Sequence, residues 1–505
     1  MLVGERGGVI HLPQNYLKIF RCFLITRKTN KQMASSDKQH ISVCTVGNVD
    51  SGKSSLCGRL IYDLGGIPER EMEKLKQRAA ELNRSSFAFA FYMDNCKEEQ
   101  ERGITINTTT KEFFTEKYHY SICDCPGHRD FVKNMISGSS QVDVALILCP
   151  ADGNFTSAIA KGNHKEGVVE GQTRAHSRII NLLGIKQVIV LINKMDEKTA
   201  NYTKERFDEV RNEMADMLVK VGFKKEQVQN NIPFLPVSAW MGDNVVSKSP
   251  NMPWWEGQEV TNLAGEKIRV NTIVDALNNF VTTPPRTLDA PLRIPISGVY
   301  NIKGAGTILT GRIEQGRVQP GDEVVFCPTN TPSNPCSGKV FSIEMHHRSV
   351  ASAGSGDNIG MSIKGLDKAN MPQVGDIMVL KKDTSLRRVK NFTCQVQVVE
   401  HPGEIKRGYC PVACVRTAKC AVRFIDLKWK VGKETGMKKQ ENPTSLKTGE
   451  MAEIVLEPQQ SFVVEKFTAC EGLGRLALFE GNGLVMIGKV TDVQFHDDVV
   501  EKGKK

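Results

Sequence analysis

The chain has 505 residues, of which 40% are hydrophobic, and its 67 Lys and Arg against 57 Asp and Glu give a formal net charge of +10. This length predicts two to four domains, and a charged content of 25% excludes a disordered, collagen-like or fibrous protein. No run of about 18 apolar residues occurs, so we expect no membrane span. The modest basic excess permits a polyanionic partner, although a solvated surface explains it equally well.

The first residues form a segment of their own. Residues 1–32 carry six Lys and Arg but one acidic residue, a composition typical of an organelle transit peptide. Translation starting at Met33 would explain the segment as well. We therefore expect residues 1–39 to be a dispensable extension that is disordered or not translated. The 14 cysteines are scattered without a Cys-x-x-Cys pair, which favours reduced core thiols and a cytoplasmic protein.

From residue 41 to about residue 283, apolar runs of strand length alternate with longer helical patterns. We predict strands at 41–46, 118–123, 144–149, 188–192 and 233–237, and a helix at 204–221, where apolar residues recur at steps of three and four. This alternation is typical of an α/β domain with a mostly parallel sheet and helices on both faces. A last helix at 270–280 ends before paired prolines, which gives the domain the range 40–283.

After Leu288 the pattern changes to short alternating strands separated by Gly and Pro turns. Examples are 292–299, 306–314, 323–327 and 341–345, and a second block of the same kind begins near residue 391, beyond a Lys-rich stretch. Such a pattern is typical of antiparallel barrels. We predict one barrel over residues 288–383, another over 390–496, and a short basic tail over 497–505.

A phosphate-binding loop follows the first predicted strand. It is Gly47-Asn48-Val49-Asp50-Ser51-Gly52-Lys53-Ser54, followed by Ser55 and a helical run, and it matches Gly-x-x-x-x-Gly-Lys-Ser in strand-loop-helix context. The glycines allow backbone N–H groups to surround phosphate oxygens, and the helix N-terminus adds the positive end of its dipole. Lys53 supplies charge to the β- and γ-phosphates, and the Ser54 hydroxyl is a ligand for Mg²⁺. Taken alone, this pattern could also be an ordinary glycine turn.

Three further segments follow the next predicted strands and argue against that alternative. They are Asp124-Cys125-Pro126-Gly127, Asn193-Lys194-Met195-Asp196 and Ser238-Ala239-Trp240. Asp124 can face the metal, Asp196 can accept the N1 and N2 hydrogens of guanine, and the Lys194 stem can lie along the base. Asn193 can bridge to the phosphate loop, and backbone N–H groups of the third segment can reach guanine O6. Because open α/β sheets bind ligands at the ends of their strands, we predict a GTP site with Mg²⁺.

Through these residues the chain resembles the elongation factor 1-alpha and elongation factor Tu family of translational GTPases. The resemblance extends over residues 40–493. The resemblance implies a P-loop GTPase domain followed by two antiparallel β-barrels, with hydrolysis of GTP to GDP and phosphate activated by the ribosome. Residues 101–106 resemble the first switch of the family. By that resemblance Thr105 would complete the Mg²⁺ shell with Ser54 and Asp124.

The resemblance also assigns the catalytic residues. His128, next to the Gly127 amide that would sense the γ-phosphate, would position the attacking water. Val49 and Ile104 match the two apolar residues that hold this histidine back until the ribosome moves it. From its spacing alone, His128 could equally be a loop histidine satisfied by its neighbours.

By the same resemblance the barrels bind aminoacyl-tRNA. Glu344 would accept the ribose 2′-OH of the terminal adenosine, and Asn358 would line the amino-acid pocket. Residues 302–307 resemble a family hairpin. His346-His347 could suggest a metal, but adjacent strand residues face opposite sides, so we expect none. The second barrel carries basic side chains that could contact phosphates, or form a solvated face: Lys406, Arg407, Arg416, Lys419 and Arg423.

Some segments depart from ordinary elongation factor 1-alpha. That family has an acidic residue where Ala175 stands, and residues 92–99 and Trp254-Trp255 also differ. The departures resemble the divergent elongation-factor-like branch of some unicellular eukaryotes. Changes on the helix containing His176 could alter how an exchange factor releases GDP.

The resemblance therefore implies a monomeric GTPase that delivers aminoacyl-tRNA to the ribosomal A site, with an exchange factor as a further partner and no membrane partner. A termination or ribosome-rescue GTPase is the alternative within the same superfamily. A GTP-dependent subunit of sulfate activation and an actin-binding module are further alternatives, and the actin role could also be a second one.

Overall fold

The computed structural model describes residues 38–496, apart from 95, 133, 136–141, 163–169, 285, 303–305 and 346–347. Most of the expected N-terminal extension and the whole basic tail lie outside the described residues. So do part of the hairpin at 302–307 and the pair His346-His347. Among the described residues, no helix combines the length and the apolar composition that crossing a bilayer requires.

The first domain is built on a buried sheet. Its strands are β1 (His40–Gly47), β2 (Thr109–Phe114), β3 (His119–Asp124), β4 (Val144–Pro150), β5 (Gln187–Asn193) and β6 (Phe234–Pro236). They are ordered β2-β3-β1-β4-β5-β6, and β2 alone among these runs antiparallel to its neighbour. Every residue of β1, β3, β4, β5 and β6 is buried, which is why these strands are nearly continuous apolar runs in the sequence. The predicted α/β fold with a mostly parallel sheet is confirmed.

Helices cover this sheet. They are α1 (Lys53–Asp63), α2 (Glu69–Glu81), α3 (Ala90–Met93), α4 (Lys97–Arg102), α5 (Phe155–Ile159), α6 (Gln172–Leu182), α7 (Lys204–Lys220) and α8 (Lys225–Asn230), with 3-10 turns at Ser85–Phe87 and Arg129–Phe131. The predicted helix at 204–221 corresponds to α7. It buries Phe207, Val210, Met214 and Leu218 on one face, as its three- and four-residue spacing requires.

The predicted helix at 270–280 is wrong at its start. Residues up to Val270 belong to a hairpin of β7 (Gln258–Thr261) and β8 (Lys267–Val270). Helix begins only with α9 (Ile273–Asp275), where the Thr272 hydroxyl accepts from the Asp275 N–H, and it continues as a π-helix over Ala276–Phe280. A capping threonine therefore sets the boundary rather than the apolar periodicity.

Two antiparallel barrels follow, as predicted. Barrel 1 contains β9 (Ile294–Ile302), β10 (Gly306–Arg312), β11 (Arg317–Val318), β12 (Glu323–Cys327), β13 (Ser337–Met345), β14 (Arg348–Val350), β15 (Ala353–Gly354), β16 (Asn358–Lys364) and β17 (Ile377–Leu380). Barrel 2 contains β18 (Val389–Val398), β19 (Val412–Val415), β20 (Ala418–Val431), β21 (Gln440–Glu441), β22 (Met451–Pro458), α10 (Glu471–Gly474), β23 (Arg475–Glu480) and β24 (Gly483–Phe495). Pairing of β12 with β13 closes barrel 1, and pairing of β19 with β20 closes barrel 2.

The first domain meets barrel 2 through apolar side chains. Ile179 and Leu183, at the end of α6, lie across a small cleft from Cys414, Ala477 and Ile487. These three barrel residues belong to the same buried cluster as the sheet of the first domain. We call this region the apolar contact.

The first domain meets barrel 1 through hydrogen bonds and ion pairs. Asp143, before β4, accepts from Arg286 at 3.2 Å and from Arg312 of barrel 1 at 2.7 Å. It also accepts from the Ser42 N–H at 3.0 Å, while the Ser42 hydroxyl accepts from Asn358 of barrel 1 at 3.0 Å. We call these five residues the polar contact.

Arg293 joins the two barrels to each other. Its side chain is 1% exposed, and its guanidinium donates to Glu465 twice, to Asp383 and Ser385, and to the Leu292 carbonyl. Those bonds use all the N–H groups of a guanidinium. The barrels also share one buried apolar cluster.

Candidate nucleotide-binding site

The loop between β1 and α1 is shaped by two glycines. Gly47 has φ +149°, and a Cβ there would lie 2.4 Å from the Leu148 carbonyl oxygen. Gly52 has φ +87°, and a Cβ there would lie 2.3 Å from the Asn193 side-chain nitrogen. Both contacts are closer than atoms can approach, so the tight loop depends on the absence of side chains at these positions.

Helix α6 supports this loop from behind. The Thr173 hydroxyl accepts from the Asn48 N–H at 3.0 Å, and His176 Nδ1 accepts from the Gly47 N–H at 3.2 Å. Burial, together with the nearby Lys53 charge, lowers the pKa of His176 to about 3, so its ring is neutral and can accept. The sequence analysis did not assign these supports, because both are more than a hundred residues from the loop.

Oxygen-bearing side chains converge beside Lys53. The hydroxyls of Ser54 and Thr105 are 3.1 Å apart, and the Thr45 hydroxyl donates to Asp124 at 2.9 Å. Asp94, 4% exposed, lies within 3.5 Å of the Thr105 hydroxyl. Burial, then the charges of Asp124 and Glu99, raise the pKa of Asp94 to about 8.

This donor set fits a divalent cation. Hydroxyl and carboxylate oxygens are the ligands that Mg²⁺ prefers. Burial also raises the pKa of Asp124, although Ser54, Lys53 and Thr45 oppose that shift. Two buried carboxylates that disfavour each other's charge would be relieved by a cation. The sequence motifs identified Ser54 and Asp124, and the family resemblance added Thr105, but neither identified Asp94, which is brought close only by folding.

At the other end of the loop, Asn193 connects two segments. Its side-chain nitrogen donates to the Ser51 carbonyl at 2.8 Å, and its oxygen accepts from the Ala239 N–H at 2.9 Å. Asp196 Oδ1 is buried and has no hydrogen-bond partner among the described residues. Lys194 forms an ion pair with Asp152, with Nζ 2.8 Å from Oδ2.

A cavity of about 700 Å³ joins these parts. Its walls include most of the residues that the sequence motifs identified: Val49, Asp50, Gly52, Lys53, Ser54, Ser55, Ile104, Thr105, Gly127, His128, Asn193, Lys194, Asp196, Ala239 and Trp240. Gly103, within the segment that resembles the first switch, also lines it, whereas the sequence analysis did not identify other wall residues: Ser86, Phe87, Ala90, Asp94, Asn154, Glu197 and Lys198. Most of these lie in the short helices and loops between α2 and β2 or beside a motif, where no local pattern marks them.

Two predicted binding residues face away from the cavity. Cys125 and Met195 are fully buried, and the Cys125 thiol points to the carbonyls of Cys123 and Met135. Their side chains pack in the core because they alternate with the polar residues of their motifs. Any contact that they make with a nucleotide would be through the backbone.

His128 lies at the edge of the cavity. Its side chain is 38% exposed, Nδ1 accepts from the Asp130 N–H at 3.2 Å, and its ring packs against Phe131. Val49 and Ile104 line the same cavity. The three predicted catalytic residues are therefore brought together, with the imidazole open to solvent on one side.

A second cavity, of about 460 Å³, lies between the first domain and barrel 1. Asn358 and Tyr300 line it from the barrel, and Ser42, Asn107 and Ser121 from the first domain. Glu344 does not line this cavity but is exposed on the neighbouring strand β13, paired with Gly360 of β16.

The basic residues predicted for phosphate contacts are mostly in ion pairs. The prediction of a phosphate contact is corrected for Arg416. Its side chain is 15% exposed and donates to Glu314 of barrel 1 at 2.7 Å, so it joins the barrels. Arg407 pairs with Asp426, Arg423 with Glu457, and Lys406 with Glu404, all at the surface. Lys419 is exposed.

The same parts of the chain match known families. The family of the elongation factor Tu GTP binding domain matches residues 38–283, elongation factor Tu domain 2 matches 306–379, and the GTP-eEF1A C-terminal domain-like family matches 391–491. Elongation factor 1-alpha of Tetrahymena pyriformis is 39% identical, covering 92% of this chain and 100% of its own. Elongation factor 1-alpha of Aeropyrum pernix is 40% identical, covering 91% and 98%.

A solved structure agrees at the level of the fold. The Ski7 GTPase-like domain of S. cerevisiae, bound to GTP, is 17% identical, has a TM-score of 0.71, and covers 90% of this chain and 97% of its own. Sequence families, relatives and fold therefore agree with the site geometry. The chain belongs to the elongation factor 1-alpha and elongation factor Tu family of GTPases, and its ligands are guanine nucleotides.

Proposed function

We propose that this chain binds aminoacyl-tRNA in its GTP form, delivers it to the ribosomal A site and hydrolyses GTP on correct codon pairing. The observation that carries the proposal is the second cavity, which lies between the nucleotide domain and barrel 1 and is lined by Asn107 and Thr108, directly after the segment that resembles the first switch. The relatives named elongation factor 1-alpha, matched over 98% or more of their length, support delivery over termination or ribosome rescue.

The nucleotide is held by residues from several strand ends. Lys53 and the backbone of residues 47–54 bind the phosphates, and Asp196 accepts the N–H groups of guanine through the oxygen that lacks a partner among the described residues. Ser54, Thr105 and Asp124 would hold Mg²⁺, which would supply positive charge beside the phosphates. Asp94 lies close enough to the Thr105 hydroxyl to orient this ligand of the metal.

Hydrolysis depends on positioning more than on covalent chemistry. His128 orients the attacking water, and Val49 and Ile104 control how closely the histidine approaches. Because the imidazole is half-exposed and held by Asp130, the isolated protein hydrolyses GTP slowly, and the ribosome must move the ring.

The aminoacyl end of tRNA occupies the second cavity. Asn358 donates to Ser42, and its oxygen is buried without a partner among the described residues, so it can accept from the amino group of the aminoacyl ester. Glu344, exposed nearby, accepts the 2′-OH of the terminal ribose. The chain acts as a monomer in the cytoplasm, with an exchange factor as a partner and actin binding at most a second role.

Protection of the aminoacyl ester from spontaneous hydrolysis tests this function. We expect protection with GTP but not with GDP, and its loss in Asp196→Asn at the same GTP concentration. Asp208→Asn, on the exposed face of α7, is the matched control and should protect like the wild type. Tight GTP binding without protection would rule out delivery and direct attention to release factors and actin.

A further inference from the structure

The ammonium of Lys194 has a dedicated partner. Lys194 directly follows β5, has φ +65°, and its Nζ lies 2.8 Å from Asp152 Oδ2, with side chains 26% and 14% exposed. Asp152 lies just beyond the end of β4, where Pro150 pairs with Asn193. The ion pair therefore spans the ends of two adjacent parallel strands, at the wall of the nucleotide cavity.

The Asp152 carboxylate is itself held in place. Its Oδ1 accepts from the Asn154 N–H at 2.9 Å. Arg206 of α7 donates to the carbonyls of Ala151 and Asp152 at 2.9 and 3.1 Å and packs over Phe155. Burial alone would raise the pKa of Asp152, but its bonds to Lys194 and Asn154 outweigh burial, and the pKa lies below its usual value. The carboxylate is therefore ionised and fixed at neutral pH.

A free ammonium in this cavity would have other acidic partners. Asp50, Asp196 and Glu197 line the same cavity. Asp196 is the important one, since its buried oxygen is without a hydrogen-bond partner in the described chain and must stay so to accept from guanine. An ammonium that paired with Asp196 would compete directly with the base.

We infer that Asp152 is a positioning residue of the nucleotide site. It holds the Lys194 ammonium at the cavity wall, so that the aliphatic stem presents an apolar surface to the base and Asp196 stays free for the guanine N–H groups. This inference rests on the proposed roles of Lys194 and Asp196. It assigns a role in guanine selectivity to a residue outside the nucleotide motifs.

Nucleotide affinities of the full chain test the inference. Asp152→Asn should weaken GDP and GTP about tenfold and equally, as expected for one charge-assisted hydrogen bond near the shared base. The preference for GDP over IDP, which lacks the exocyclic amine, should shrink, because a released ammonium competes for Asp196. Asp208→Asn, whose partner Lys204 is exposed, should change neither value.

A double-mutant cycle separates positioning from a structural effect. In a Lys194→Met background, which keeps the stem but removes the ammonium, Asp152→Asn should have no further effect. Additive losses, or an unchanged preference for GDP over IDP, would overturn the inference. If Lys194→Met and Asp196→Asn each leave GDP affinity unchanged, the proposed base site itself fails, which is a distinct result.

Discussion

The nucleotide domain meets its two barrels through contacts of opposite character. The apolar contact with barrel 2 extends the core of the domain outward through Cys414, Ala477 and Ile487. The polar contact with barrel 1 depends on Asp143, which is shared by two arginines, and it borders a cavity of about 460 Å³. Hydrophobic contact is non-directional and tolerates small shifts, whereas hydrogen-bonded ion pairs need all their partners in place.

This difference determines which of the two contacts can open at low cost. A contact made of ion pairs beside a cavity can open and close without exposing much apolar surface, because each group can be hydrated when it separates. The apolar contact would expose buried side chains if it opened. We therefore expect barrel 1 to be the side on which the proposed aminoacyl pocket opens.

The largest effect should come from placing a charge in the apolar contact. Ile487→Asp buries a carboxylate at a site that is 8% exposed, and should lower the free energy of unfolding by about 4 kcal/mol. Urea denaturation followed by circular dichroism measures this. Ile425→Asp, at a position that is 37% exposed on the same barrel, is the control. Equal losses in both variants would mean that the contact is not a buried one.

Removing the shared acceptor of the polar contact should have the next largest effect. Asp143→Ala removes the buried carboxylate that Arg286 and Arg312 share, and should cost about 3 kcal/mol in unfolding free energy. Small-angle scattering should show that barrel 1 has separated from the nucleotide domain. Glu441→Ala, which breaks an exposed pair with Lys439, should change little. A compact, equally stable Asp143→Ala protein would contradict the assignment.

The polar contact should also depend on acid pH. Burial would raise the pKa of Asp143, but Arg312 and Arg286 outweigh it, so the pKa is lower than in the unfolded chain. A carboxylate with a lowered pKa stabilises the fold above its unfolded pKa of about 4, and that stabilisation is lost as the pH falls through the folded value. The stability difference between wild type and Asp143→Asn should be constant from pH 8 to 5 and shrink below about pH 4. A difference that stays constant to pH 3 would refute this.

Ser42→Ala should give the smallest effect. It removes the acceptor for Asn358 and should cost about 1 kcal/mol, the usual value for one hydrogen bond. Thermal unfolding monitored by circular dichroism measures it. Ser297→Ala, which removes an exposed bond to Thr310, serves as the comparison and should be nearly neutral. Identical shifts would indicate that the Ser42 bond adds no stability.

The sequence predicted those strands whose pattern is local. The runs that became β1, β4 and β5 are buried throughout, so a continuous apolar run was enough to locate them. Strand β2 was missed because Thr109–Phe114 is neither a continuous apolar run nor a regular alternation of polar and apolar residues, and it joins the sheet at the edge, antiparallel to β3.

The site follows the same division. Motifs at strand ends located the phosphate loop and the residues around Asp196, since their spacing is fixed within a few positions. Asp152, 42 residues from Lys194, and Thr173, 125 residues from Asn48, act through contacts that only the folded sheet creates. No local sequence pattern shows that two residues far apart in the chain will lie close together in the fold.

Arg293 has a consequence for how the two barrels can move. Each of its N–H groups is engaged at the junction of the barrels, and the side chain is 1% exposed. Because these bonds join the two barrels, we expect the barrels to move as one body, so that the polar contact would open by a small rotation about the apolar contact. A load applied to barrel 2, for instance by a bound tRNA stem, would therefore reach the aminoacyl pocket on barrel 1. Two fluorophores placed one on each barrel should keep a constant separation in every nucleotide state.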